Sequence, residues 1–234
     1  MKTSKKSVSQ SHENALERFS KVEIAAKYPS RYDENDSHDQ REKKAIIKSL
    51  AYIQAPAQVL DLPCGTGRVA IILLEKGYKI TCGDSSEAML QFAEHNIEKF
   101  IAGSQVKEKN VEFRQCDIMS TPFVDNTFDG IICNRLFHHF TESSTRQKAL
   151  AELSRISRGP IIISFFNSFS LDDKYTRLVN FLRGRTPTDR IPIPLKIFAA
   201  EIAGAELQVI DCIPVRYGIS AHWYVVAAKK IEKA

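Results

Sequence analysis

The stretch Val59-Leu-Asp-Leu-Pro-Cys-Gly-Thr-Gly-Arg68 carries the strongest chemical signal in this 234-residue chain. An apolar run ends in an acid, Asp61, and a Gly-x-Gly turn then opens a helical pattern. Glycines let backbone approach a ligand where a side chain would collide. The free N–H groups of a helix start lie just beyond them. Asp61, Cys64, Gly65, Thr66 and Gly67 are therefore read as one wall of a cofactor site. Residues 65–70 also match the loose dinucleotide pattern G-x-G-x-x-G/A, which taken alone is a weak signal. Asp84 stands 17 residues after Gly67, near the roughly 20 expected for an acid that accepts ribose hydroxyls.

These residues need strand ends to hold them, and the pattern supplies strands. Short β-rich runs at 58–62, 78–83, 111–116, 128–133 and 160–166 alternate with helical patterns at 68–76, 86–100 and 142–157. Ser85 or Ser86 caps the second of these helices. Alternation of this kind predicts right-handed crossovers and a mostly parallel sheet with helices on both faces. Two runs at 207–213 and 222–228 are too close for a crossover and must form an antiparallel hairpin. The expected fold is α/β, a Rossmann-like three-layer sandwich on a seven-stranded, mostly parallel sheet. Residues 1–54 are read as an N-terminal helical extension with helices at 12–26 and 38–53, broken at Pro29. Residues 55–234 form the core, with an insertion at about 167–205 that shows no strand pattern. The closing hairpin replaces a second mononucleotide-binding half, and Asp61 would repel a pyrophosphate at the helix start. Both features disfavour a nicotinamide cofactor. A ligand with a nucleoside at one end and an amino acid at the other, S-adenosylmethionine, fits both.

Asp61-Leu-Pro-Cys-Gly65-Thr-Gly67 resembles motif I of the class I S-adenosylmethionine-dependent methyltransferases. Gly83-Asp84-Ser-Ser-Glu-Ala-Met89 resembles the acidic end of their second strand. Cys116-Asp117-Ile118, Asn126-Thr-Phe128-Asp129 and Leu136-Phe-His-His139-Phe resemble the following segments of the small-molecule branch. The likeness covers about residues 59–166 and departs at Pro63, where a smaller residue is commoner. It implies that Asp84, with Ser85 beside it, holds the ribose. It also implies that Asp117 and Ile118 flank the adenine and that Asn134 touches the methionine part. Met89 either packs on the adenine-ribose edge or faces the core. Arg135 is either a substrate contact or an ion-pair partner. His138 and His139 are weak catalytic candidates, because adjacent helical side chains point about 100° apart. No ligand cluster accompanies them, and no metal is expected.

The acceptor pocket is expected from the parts outside the core: Tyr28 and Tyr32 before the first strand, and Arg183, Arg185 and Arg190 in the insertion. Residues 170–200 carry six cations against three acids, which suits a small, anionic acceptor as well as it suits a solvated loop. Its glycine and prolines suit a lid. The overall charge of +5 lies largely at the two ends, and with no acid- or Asn-Pro-Pro-aromatic sequence after the fourth strand this disfavours a nucleic-acid partner. A hydrophobic fraction of 43% and a charged fraction of 26% are those of a soluble globular protein. No apolar run reaches the roughly 18 residues of a membrane span. Residues 1–10 do not read as a secretory signal. Five cysteines without a C-x-x-C pair read as buried free thiols in a reducing, cytoplasmic compartment. Two other functions share these motifs: an NAD(P)-dependent oxidoreductase, and a non-catalytic S-adenosylmethionine-binding module. The sequence does not specify the acceptor, the oligomeric state or any general base.

Overall fold

Seven short runs rich in Val, Ile, Leu and Phe form the strands. They are β1 (Gln58–Asp61), β2 (Lys79–Asp84), β3 (Val111–Gln115), β4 (Gly130–Cys133), β5 (Ile161–Phe166), β6 (Leu207–Pro214) and β7 (His222–Lys229). The helices are α1 (Gln10–Phe19), α2 (Ser37–Leu50), α3 (Arg68–Glu75), α4 (Glu87–Gly103), α5 (Ser143–Ile156), α6 (Leu171–Leu182) and α7 (Leu195–Gly204). The computed structural model describes residues 10–20, 36–106, 110–184 and 191–230. Tyr28, Tyr32, Arg185 and Arg190 lie outside the described residues.

The sheet order is β3-β2-β1-β4-β5-β7-β6. β1 to β5 run parallel, and β7 pairs antiparallel with both β5 and β6. The strand order reverses between β1 and β4. In open α/β sheets, ligands bind where the order reverses, outside the carboxyl ends of the strands. Side chains alternate across the sheet. Ile131, Cys133, Ile161, Ile163 and Phe165 meet α5 and α7 through Leu150, Leu153, Phe198 and Ile202. Val59, Ile80, Ile132 and Ile162 meet α2, α3 and α4 through Ile46, Leu73, Ala93 and Ile97. The three-layer sandwich and closing hairpin are those expected.

α2 buries Ala45, Ile46 and Leu50 in the core as part of one layer of the sandwich. α6 and α7 occupy most of the insertion. Ser170 caps α6 by accepting the Asp173 N–H at 3.0 Å. Glu201 of α7 receives the buried Arg146 guanidinium of α5 at 2.6 and 2.8 Å. Pro194, one of the prolines that suggested irregular chain, directly precedes α7. The cysteines are free, with Cys64, Cys82, Cys116 and Cys133 buried.

Two glycines separate space from confinement. A Cβ at Gly159 would lie 1.9 Å from the Asp129 carbonyl oxygen, whereas one at Gly103 would meet nothing within 4 Å. Gly159→Ala should lower unfolding free energy by about 1–3 kcal/mol through overpacking. Gly103→Ala, inside α4, should raise it by about 0.5–1 kcal/mol. Denaturant titration of the two variants beside the parent checks both signs.

Candidate active site

Four strand ends converge on one pocket. The turn after β1 supplies Leu62, Pro63, Cys64, Gly65 and Thr66, and the end of β2 supplies Asp84 and Ser85. Cys116, Asp117 and Ile118 follow β3, and Asn134, Arg135 and Leu136 follow β4. Met89 enters from α4, and His12, Ala15, Leu16 and Phe19 of α1 join Phe140 above. The space is about 900 Å³, part of it open to solvent.

The glycine turn takes its shape from backbone that only glycine adopts easily. Gly65 and Gly67 have φ of +53° and +87°. A Cβ on Gly65 would meet nothing within 4 Å, so this residue faces the open pocket. Gly67 does not line the pocket. Its absent Cβ would sit 3.2 Å from Ile97 and 3.3 Å from Ala93 of α4. Its role is therefore close helix packing behind the turn. Asn96 of α4 also donates to the Thr66 carbonyl at 3.0 Å.

Asp84 is the acid at the pocket wall. It accepts the Gly65 N–H on one oxygen and the Ser86 N–H on the other, both at 2.9 Å. Burial lifts its carboxyl to about 6 against the pull of those amides. Ser86, not Ser85, caps α4. Asp117 accepts the Met119 N–H at 2.9 Å and lies 3.0 Å from His12 Nε2. That contact fastens α1 over the pocket.

Asp61 departs from its expected place. It is fully buried behind the turn, and neither oxygen has a hydrogen-bond partner among the described residues. Burial, reinforced by the Asp84 charge, raises its carboxyl well above the usual range. Asp61 does not line the pocket, and Asp84 and Asp117 are the acids that do.

Residues 59–159 match the family described as "Methyltransferase domain". The matched stretch runs from β1 through α5. The chain is 32% identical over 109 residues to the demethylmenaquinone methyltransferase of Thermus thermophilus, across 46% of this chain and 45% of that protein. It is 34% identical over 107 residues to the putative methyltransferase YqeM of Bacillus subtilis, across 45% and 39%. The matched stretch thus spans less than half of either relative. Magnesium protoporphyrin IX methyltransferase from Synechocystis, solved with bound SAH, superposes with a TM-score of 0.70 at 12% identity, covering 94% of this chain and 100% of that one. Burkholderia thailandensis 1,6-didemethyltoxoflavin-N1-methyltransferase, solved with its substrate and S-adenosylhomocysteine, superposes at 0.67 with 20% identity, covering 96% and 92%. At these identities the likeness is one of fold.

Beneath the pocket lies a buried charge network that sequence reasoning missed. Glu42 of α2 is fully buried. It accepts Arg68 Nη2 at 2.7 Å and Arg135 Nε at 3.0 Å, and it is also bonded by Arg135 Nη2. The Tyr224 hydroxyl lies 3.1 Å from Glu42 and 3.0 Å from Asn134 Oδ1. Burial would raise the Glu42 carboxyl, but the Arg68 and Arg135 charges outweigh it and hold the group far below its usual range. His222, 4.0 Å away, is driven down to about 3 by burial. Arg135 is thus an ion-pair partner as well as a pocket residue, at a left-handed φ of +56°. The periodicity of Glu42, Ala45, Ile46 and Ser49 on one buried face of α2 was the available signal. Glu42 also lies near His38 and Asp39 in an arrangement of possible metal ligands. Its two guanidinium partners oppose a cation there.

His138 and His139 do not line the pocket. They sit on a single 3-10 turn, with His138 stacked on Phe166 at 4.3 Å and His139 edge-on to Phe19 at 5.4 Å. These are packing positions. Arg183 follows the exposed end of α6, away from the pocket lining. Two pocket thiols stay protonated. Cys64 is raised well above its ordinary value, first by its hydrogen bond with Cys82 and then by burial, and burial pushes Cys116 up to about 12.

Glu42→Ala would leave two guanidinium groups without their buried partner. The expected loss is about 3–5 kcal/mol of stability, read by chemical denaturation. The Glu42 contribution is present above the ordinary carboxylate range and lost as pH falls well below it, so the gap between parent and variant should narrow in strong acid.

Proposed function

We propose that this chain is an S-adenosylmethionine-dependent methyltransferase acting on a small molecule with an apolar body. The observation that carries this reading is Asp84, a buried carboxyl held by two backbone amides at the pocket wall, facing the open side of Gly65. That arrangement fits the ribose hydroxyls of the cofactor, and Gly65 leaves room for backbone approach. Asp117 and Ile118 would take the adenine, with Met89 on its edge. Cys64, Thr66 and Asn134 would border the amino-acid end. When bound, the cofactor supplies an activated methyl carbon on a positively charged sulfur, and its spent form is S-adenosylhomocysteine. The chain's own work is to hold the acceptor in line with that carbon and to exclude water. α1 supports the second task by covering the pocket with Ala15, Leu16 and Phe19.

The same side chains, with Leu136 and Phe140, favour an apolar or aromatic acceptor. The demethylmenaquinone and 1,6-didemethyltoxoflavin methyltransferases among its relatives support an acceptor of this class. The pocket's two cations, Arg68 and Arg135, already share Glu42. An anionic acceptor would therefore have to draw on Arg183, Arg185 and Arg190. No residue here is assigned as a general base, and soft or ionised acceptors need none.

Calorimetry should give micromolar affinity for S-adenosylhomocysteine and none for NAD or NADP. The reverse result would remove the proposal in favour of an oxidoreductase. Binding without methyl release across an apolar acceptor panel would favour a non-catalytic module.

Asp84→Ala should weaken S-adenosylhomocysteine binding by about 1.5–3 kcal/mol, the scale of hydrogen bonds to a charged group. The hydroxyls are best accepted by the ionised carboxylate, and its proton is held up to about pH 6 in the free protein. Affinity should therefore fall as pH drops below about 6 in the parent and stay flat in Asp84→Ala. An equal pH dependence in both would exclude Asp84 as the titrating anchor.

A further inference from the structure

α6 is inverted relative to an ordinary surface helix. Its buried residue is Asp173, which receives Arg177 at 2.8 Å. Its large apolar side chains face water: Leu171 is 58% exposed, Tyr175 70%, Leu178 56%, Phe181 83% and Leu182 73%. At 100° per residue, Leu171, Tyr175, Leu178 and Leu182 fall within one narrow stripe, and Phe181 adjoins it. The N-terminus is fastened to the β6–β7 connection, where the Leu171 and Asp172 N–H groups donate to the Gly218 and Ile219 carbonyls. Exposed Tyr217 and Phe169 extend the apolar surface there.

We propose that α6 docks this protein on an anionic lipid surface. The apolar stripe is bracketed by cations, with Lys174 and Arg177 on one flank and Arg183 on the other, and exposed Arg216 stands beside Tyr217. The exposed acid on the helix is Asp172. One apolar face edged by Lys and Arg matches the acyl–headgroup boundary, where apolar side chains enter and cations meet lipid phosphates. Tyr175 and Tyr217 suit the same boundary, with an apolar ring and a polar tip. Twelve residues make a helix of about 18 Å, too short to span a bilayer of about 30 Å, so α6 lies along the surface. A second copy is the poorer occupant. A two-fold contact through this face would set the Lys174 and Arg177 flanks of the two copies against each other. α6 follows β5 at the carboxyl edge of the sheet, the edge that holds the pocket.

The test is co-sedimentation of the intact chain with vesicles of phosphatidylcholine alone and of phosphatidylcholine mixed with phosphatidylglycerol. The parent should bind the mixed vesicles, bind phosphatidylcholine weakly, and lose affinity as salt rises. Leu178→Asp and Phe181→Asp should each weaken binding by at least about tenfold. Lys174→Glu should weaken it by at least about fivefold. All three side chains are exposed, so unchanged thermal melting should accompany these losses. Failure of the parent to bind mixed vesicles would overturn the proposal, as would parent-like binding by Phe181→Asp. Sedimentation velocity without lipid covers the alternative occupant. A dimer that Leu178→Asp converts to monomer would assign the face to a second copy and overturn lipid docking.

Discussion

One buried carboxylate ties the halves of this structure together. Glu42 enters from α2, behind the sheet, and draws Arg68 from the first glycine-loop helix and Arg135 from the end of β4 onto a single group. Those arginines stand on opposite sides of the point where strand order reverses. A fully buried anion without partners would be intolerable, so folding of the helix and shaping of the pocket floor are one event. Tyr224 brings the closing hairpin into the same network through Asn134. The strand that runs against the others is thereby joined to the residues that border the pocket.

The pocket also depends on what its elements do not do. Asp61 ends β1 but stays sealed, while Asp84 ends β2 and reaches the open space. Their sequence contexts are nearly alike, each an acid closing an apolar strand. The difference comes from the glycine turn. It folds over Asp61 and turns the Gly65 N–H toward Asp84. Gly67 permits this, because a Cβ there would sit 3.2 Å from Ile97 of α4.

What was legible in the sequence was local. The glycine turn, the Ser86 cap and the alternation of strands and helices each lie within a few residues, and the parallel sheet with its antiparallel hairpin follows from them. Asp84 was placed at the pocket by its spacing from the glycine turn, and Asp117 and Ile118 by the family resemblance. Glu42 was not legible as a hub, because its partners are 26, 93 and 182 residues away. The helix periodicity of α2 marked its face as inward but named no partner. α6 and α7 were obscured by the prolines between them, although Ser170 with Asp172 and Asp173 formed a readable helix start. Strand-end position alone does not tell whether a turn will cover Asp61.

The two pocket thiols have a chemical consequence. An alkylating sulfonium beside a thiolate invites self-alkylation, since sulfur anions are among the best nucleophiles in proteins. Cys64 and Cys116 both border the space read as the cofactor site. The Cys82 hydrogen bond and burial hold up Cys64, and burial with the neighbouring carboxyls holds up Cys116, so both favour the neutral thiol. Their weak acidity is thus a form of chemoselectivity: a reactive carbon can sit beside two sulfurs and remain available to an incoming molecule.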